Sequence, residues 1–257
     1  MDPITIGTAI GTTLITNFAT KGDSAPIQTL NDLWYLTFGR LQLLVDKKRA
    51  NHSAQLESYK NELVDAVSAI PDENLIEPPL SIVGPALEAS KYYIEEEELR
   101  KMFAKIVASS MDDRKASLAH HSFVEIIKQL SPLDAQNIAL FKGNYHLPLV
   151  NYGVKRDGNN KITTITNVFL SNPECTDIRV IRSSITNLHR LGLVDFRFDI
   201  LFNDGQKYDV FTHHPVFNNV VSASIKDLNE FPNAEPFIDK GVIEITPFGS
   251  DFLSVCL

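Results

Sequence analysis

The sequence predicts an α+β protein, mainly helical, in which an N-terminal helical bundle is followed by a winged-helix-like domain with a β-hairpin wing. Three observations carry that expectation. Apolar residues recur with a helical period through most of the first half, from Leu30 to Leu130. The second half mixes stretches of strand composition, such as the Thr- and Ile-rich residues 162–170, with a strongly amphipathic segment over 177–191. That segment leads at once into residues 194–202, the turn Asn203-Asp204-Gly205 and residues 207–211, and Asp-Gly is a strong hairpin turn signal. The implied organisation is a small-residue segment over 1–23, a helical domain over 24–130 and a winged-helix-like α+β domain over 131–257.

The elements follow in order. Asp, Ser and Pro cluster at 23–27 and break the chain. Leu30, Leu33, Leu36, Phe38 and Leu41 then predict a helix, with Thr29 or Asn31 as its cap and Lys47, Lys48 and Arg49 at its C-terminal end, where positive charge suits the dipole. Leu56, Tyr59, Leu63, Val64, Val67 and Ile70 fall on one face of a second helix, which Pro71 stops. Two more helices are expected over 84–93 and 95–110. The acidic run Glu95–Glu98 opens the second of these as a solvated first turn. A short helix covers 123–130. Ser131-Pro132-Leu133-Asp134 starts another, with serine as cap and proline at the first helical position. Residues 155–161 read as a turn. Thr176 caps the 177–191 helix, Ile178, Ile181, Ile185 and Leu188 line its core face, and Gly192 ends it. Gly241–Ile245 predicts a strand, and Pro247 opens a last helix that buries Phe248, Phe252 and Leu253.

Composition bounds the function. In 257 residues with 44% hydrophobic content there is ample material for a packed core. A net charge of -8 opposes a general grip on nucleic acid. Two cysteines far apart, Cys175 and Cys256, make no disulfide framework and fit a reducing, cytoplasmic setting. The N-terminus has no basic residue before Lys21, unlike a secretory signal. Its apolar stretch, with Gly7-x-x-x-Gly11, is too short to span a bilayer comfortably, so a membrane partner is not expected.

Two constellations could carry function. On the 177–191 helix, Arg179, Arg182, Ser183, Thr186 and Arg190 lie opposite the isoleucine stripe; arginine, serine and threonine there suit a protein or nucleic-acid partner. From Ser131 onward 11 basic residues face 14 acidic ones, and the expected wing carries Asp195, Asp199, Asp204 and Asp209, which weighs against DNA. The alternative is Arg114 with His120, a short Arg-to-His spacing in a helical domain that resembles the HEPN ribonucleases; His would move protons and Arg would stabilise phosphorane charge. His120-His121 and His213-His214 diverge as adjacent residues and lack any companion ligand motif, so no metal is expected. No glycine-rich phosphate loop and no G-x-S-x-G elbow occurs, so no nucleotide cofactor or serine hydrolase is expected.

Four stretches taken together resemble a known family. They are Pro79-Leu-Ser-Ile-Val-Gly-Pro-Ala-Leu-Glu-Ala-Ser-Lys-Tyr-Tyr-Ile and its continuation to Met111, Ser122-Phe-Val-Glu-Ile-Ile-Lys-Gln-Leu-Ser-Pro-Leu-Asp-Ala135, Asn187-Leu-His-Arg-Leu-Gly-Leu-Val194 and Ile245-Thr-Pro-Phe-Gly-Ser-Asp-Phe-Leu253. They resemble the Abi-alpha family of abortive-infection proteins over about residues 60–257. The resemblance implies a bacterial phage-defence protein, often borne on prophages, that limits phage replication at the infected cell's expense. It implies no catalytic residue. The expected mode is a non-enzymatic sensor or effector that binds a protein or phage component, a nucleic acid, or a second copy of itself as a homo-oligomer.

Overall fold

The computed structural model describes residues 24–38, 49–156, 160–227 and 234–257. The chain divides into two compact units, one of residues 1–135 with 251–257 and one of residues 136–250. The fold is mixed α+β and mainly helical, with one four-stranded antiparallel sheet. The expected Gly7-x-x-x-Gly11 segment and residues 39–48 lie outside the described residues.

The first unit is helical. Helix α1 (Ala25–Phe38) buries Ile27, Leu30, Trp34 and Phe38, spaced three and four apart on one stripe. It starts earlier than the expected caps: the Ser24 carbonyl accepts from Ile27 N and Gln28 N, both at 3.1 Å. Helix α2 (Arg49–Ser68) answers with Leu56, Tyr59, Leu63 and Val67. The rings of Trp34, Phe38 and Tyr59 meet at centroid distances of 4.4–6.0 Å, an aromatic knot joining the two helices. Arg49 opens α2 rather than closing the helix before it.

Helices α3 (Leu80–Ser90) and α4 (Glu97–Ser110) follow, and α4 buries Leu99, Met102, Phe103, Ile106 and Val107 as expected. Glu97 and Glu98 stand in its first turn. Arg100 is buried but satisfied: Nε and Nη2 donate to the Glu62 carboxylate at 2.9 and 2.8 Å, and Nη1 donates to the Ile94 carbonyl at 3.0 Å. Helix α5 (Ser122–Ile127) packs Phe123 edge-on against Phe252, centroids 5.3 Å apart. Ser109 Oγ donates to the Val255 carbonyl at 2.9 Å, tying the chain's last residues into this helical core. Helix α6 (Pro132–Ala139) begins with the expected serine cap; Ser131 Oγ accepts from Asp134 N at 3.2 Å while the Asp134 carboxylate accepts from Ser131 N at 2.7 Å.

The second unit is built on the sheet, in the order β2-β1-β4-β3. Strand β1 (His146–Arg156) forms a hairpin with β2 (Asn160–Val168), from Arg156 opposite Asn160 to Val150 opposite Val168. Pro148, Asn151 and Gly153 hide β1 from a sequence pattern, since none favours a strand interior. Gly153 is nevertheless required: a Cβ there would sit 2.4 Å from the Ile162 carbonyl oxygen and 2.5 Å from the Phe237 ring. Strand β4 (Glu235–Ile245) pairs with β1 along its length and with the short edge strand β3 (Val194–Arg197). Helix α7 (Ile178–Arg190) buries Ile178, Ile181, Ser184, Ile185 and Leu188, and Gly192 ends it at φ 73°. Its cap is Asp177 rather than Thr176, with the carboxylate accepting from Arg179 N at 2.9 Å.

The expected β-hairpin wing does not form. After β3 the chain enters a 3₁₀ turn (Gly205–Tyr208), helix α8 (Asp209–Thr212) and helix α9 (Pro215–Asp227), while β3 takes β4 as its partner. Asp204-Gly205 starts a helical turn here, because Asp204 Oδ1 accepts from Gln206 N at 3.0 Å. Tyr208 and Phe211 are both buried, a spacing of three that suits one helical face and would put them on opposite faces of a strand. Their hydrogen bonds fix the packing: Tyr208 Oη donates to the Gly241 carbonyl at 3.0 Å, and Tyr152 Oη donates to the Phe211 carbonyl at 2.8 Å. Helix α10 (Pro247–Cys256) ends the chain, and Phe252 is its buried aromatic anchor.

Candidate functional site

The outer face of α7 carries four of the expected residues in one line. Arg179, Ser183, Thr186 and Arg190 are exposed and spaced four, three and four apart, which stacks them along a single helical stripe opposite the buried isoleucines. Their cations are not equivalent. Arg179, 88% exposed at its side chain, returns to the capping Asp177, with Nη2 3.1 Å from Oδ2. That contact holds the Asp177 carboxyl below the usual carboxylate range. Arg190 donates from Nε and Nη2 to Asn187 Oδ1 at 3.1 and 2.7 Å. Ser183 Oγ donates back to the Arg179 carbonyl at 3.1 Å. Arg182 stands apart. It is half-buried and donates from Nε to the Thr166 carbonyl at 2.5 Å and from Nη2 to Thr166 Oγ1 at 3.2 Å, clamping α7 onto β2.

Arg114 and His120 are each engaged elsewhere. Arg114 grips the buried carboxylate of Asp112 with Nε and Nη2, at 2.8 and 2.6 Å. That guanidinium holds the Asp112 carboxyl below its ordinary value. His120 Nδ1 lies 3.1 Å from Ser122 N and 2.7 Å from Ser122 Oγ. Since the backbone N–H can only donate, Nδ1 is an acceptor, and the ring serves the first turn of α5. His121 meets Ser81 through Nε2 at 2.9 Å. Among the described residues no three His, Cys, Asp or Glu side chains gather in a metal-holding group, and no helix is long and apolar enough to cross a membrane.

A second polar cluster escapes sequence reasoning. Glu244 lies directly across from His146 of β1 and from Asp195 of β3, so the three side chains share one face of the sheet. Arg197, two residues beyond Asp195, shares that face and brings Nη1 to 3.3 Å from Glu244 Oε2. His146 Nε2, a buried atom without a hydrogen-bond partner, stands 3.7 Å from the same oxygen. Tyr145 hydrogen-bonds the Glu244 carboxylate, which pushes the phenol up from its ordinary value. His189, at the end of α7, donates from Nδ1 to the Val194 carbonyl at 3.0 Å and sits 3.3 Å from Asp195 Oδ1, its ring stacked on Phe196 at 4.5 Å. Arg197 also holds Asp199 bidentately at 2.8 and 2.7 Å, and that carboxyl is held down to about 2. His146, Asp195, Arg197 and Glu244 lie far apart in the chain, and only the strand register, invisible in the sequence, places them together.

No curated protein and no solved structure matches the chain. The model of the family described as Abortive infection alpha matches residues 51–256, and the chain belongs to that family.

Proposed function

We propose that the chain is a phage-defence protein of the abortive-infection kind that works by engaging a protein or nucleic-acid partner through the outer face of α7. Membership of the Abortive infection alpha family supports the biological role. The observation that supports the mode is the exposed Arg179–Ser183–Thr186–Arg190 line, which offers two long cations and two hydroxyls on a helix whose opposite stripe is fully committed to the core. Such a face presents hydrogen-bond donors to an anionic or carbonyl-rich partner.

Arg182 is left out of the contact set because it holds Thr166. The test is therefore the double substitution Arg179→Glu with Arg190→Glu, expressed in a phage-sensitive bacterium beside the native chain. The native chain is expected to reduce phage plating, and the double variant to lose protection at unchanged protein abundance. Protection by the double variant equal to that of the native chain would overturn the assignment of this face.

A further inference from the structure

We infer that α7 and the β1–β2 hairpin form one docking surface for duplex DNA, which they grip through its sugar-phosphate backbone. The inference deepens the α7 reading and rests on it.

Strand register puts both elements on the same side of the sheet. His189 of α7 stacks on Phe196, which stands opposite Ile243 of β4. Successive strand residues alternate between faces, so Phe237, six positions earlier on β4, shares the face of Ile243. Gly153 lies across from Phe237, Thr163 lies across from Gly153, and Lys161 is two residues from Thr163. Lys161 Nζ accordingly stands over the Phe237 ring, 5.3 Å from its centroid. The face that carries α7 is therefore the face that exposes Lys161 and Thr163. Arg182 joins the two elements through its hydrogen bonds to Thr166, a neutral partner, so a positive charge sits at the junction.

The charge of this surface differs from that of the chain. Neither α7 nor β2 contains an aspartate or glutamate, although the net charge of the protein is -8. Three carboxylates border the two elements on this side. Asp177 is bonded to Arg179, Glu235 is bonded to Lys155 at 3.2 Å, and Asp239 is half-buried. The aspartates that would repel DNA from a hairpin wing are placed elsewhere. Asp195 shares the opposite face with Glu244, and Asp199 is held by Arg197. Asp204 and Asp209 belong to the turn and helix around Tyr208, which packs with Val150 and Tyr152 on that opposite face.

Shape and side-chain chemistry select the partner. The 13 residues of α7 span about 20 Å, and the major groove of B-form DNA admits a helix. Arginine, lysine, serine and threonine side chains are the donors that hold phosphate oxygens, and they dominate the exposed line of α7 and the exposed positions of β2. Neither element contains an aromatic residue, so the surface lacks the stacking platform that single strands use. The deep, narrow major groove of duplex RNA shuts side chains out.

The test uses the purified full chain and a dye-labelled DNA duplex of mixed sequence, about two helical turns long. Fluorescence anisotropy is followed from ~50 to ~200 mM salt. Binding is expected, with an affinity that falls by about ten-fold or more over that range. Lys161→Ala should weaken it and lower the salt slope by about one, with circular dichroism unchanged. Lys240→Ala, on the opposite face over Tyr208, should do neither. The inference is overturned if the duplex does not bind, if Lys161→Ala binds as the native chain does, or if Lys240→Ala weakens binding equally. Equal affinity for single-stranded DNA or for duplex RNA of the same sequence overturns it too. A native chain that protects against phage, loses protection in the Arg179/Arg190 double variant and binds no duplex overturns this inference alone, and leaves α7 as a face for a protein.

Discussion

At the scale of single residues, the chain repeatedly uses an aspartate and an arginine two positions apart. Asp112 with Arg114, Asp177 with Arg179, and Asp199 with Arg197 each form such a pair. The pairs do different work. Asp177 is a helix cap whose carboxylate serves the α7 backbone first and Arg179 second. Replacing Asp177 by Ala removes the acceptor for Arg179 N, and we expect a lower stability, measured by urea unfolding. A loss indistinguishable from zero would mean that water replaces the cap at no cost. Asp112 is the buried member of the set, and it fastens the turn after α4, where Ile76 N donates to the Met111 carbonyl at 2.9 Å and Asp113 N donates to the Asn74 carbonyl at 3.0 Å. The same residue type at the same spacing is thus a cap in one place and a buried anchor in another, and the difference is set by what packs over it.

At the scale of elements, the sheet decides more than the helices do. Its strands carry His146, Glu244, Asp195 and Arg197 into one row, and a slip of one residue in any pairing would send that strand's contribution to the opposite face. Gly153 guards the register between β2, β1 and β4. Gly153→Ala would force a methyl group against the Ile162 carbonyl and the Phe237 ring, and the expected cost is about 1–3 kcal/mol, seen as a lower midpoint in chemical unfolding. Wild-type stability in that variant would show that the strands can part locally. Helical elements were readable because their signal is local: the stripes of α1, α2, α4 and α7 repeat within a turn or two, and Gly192 marks an end by its backbone freedom. Strand β1 and helix α9 were not readable. The first is interrupted by Pro148, Asn151 and Gly153, and its burial comes from covering elements rather than from its own alternation. The Asp204-Gly205 signal was real but ambiguous, since the same two residues open a hairpin or a helical turn, and the inward packing of Tyr208 and Phe211 selects the second.

At the scale of the whole molecule, acid should act through the aspartates just described. The Asp112 carboxyl is held below its ordinary value chiefly by its hydrogen bonds from Arg114, and Asp177 and Asp199 are lowered in the same direction by Arg179 and Arg197. A carboxyl whose folded value is depressed favours proton uptake by the unfolded chain. Its stabilisation is therefore fully present above the ordinary carboxylate value of about 3.9 and is lost as pH falls through the folded value. Thermal midpoints should be flat from neutrality to about pH 5 and decline below, and Asp112→Asn should make that decline shallower. An identical decline in the variant would assign the acid sensitivity to other carboxylates. Asp112 dominates this expectation because it is buried, whereas Asp177 and Asp199 face water and are screened.

By itself the sequence determined that the chain is mainly helical with a mixed second half, where α4 and α7 lie and which faces they bury, and the family to which residues 51–256 belong. These are properties of local periodicity and of matched motifs, so they survive without coordinates. The line Arg179–Ser183–Thr186–Arg190 was legible for the same reason, since one helix generates it. Only the tertiary structure decided that Arg182 belongs to the sheet, that Arg114 and His120 have separate partners, and that Tyr145, His146, Arg197 and Glu244 form one cluster. Those outcomes depend on strand order and register, which arise from pairings between residues far apart in the chain, and no short-range pattern encodes them.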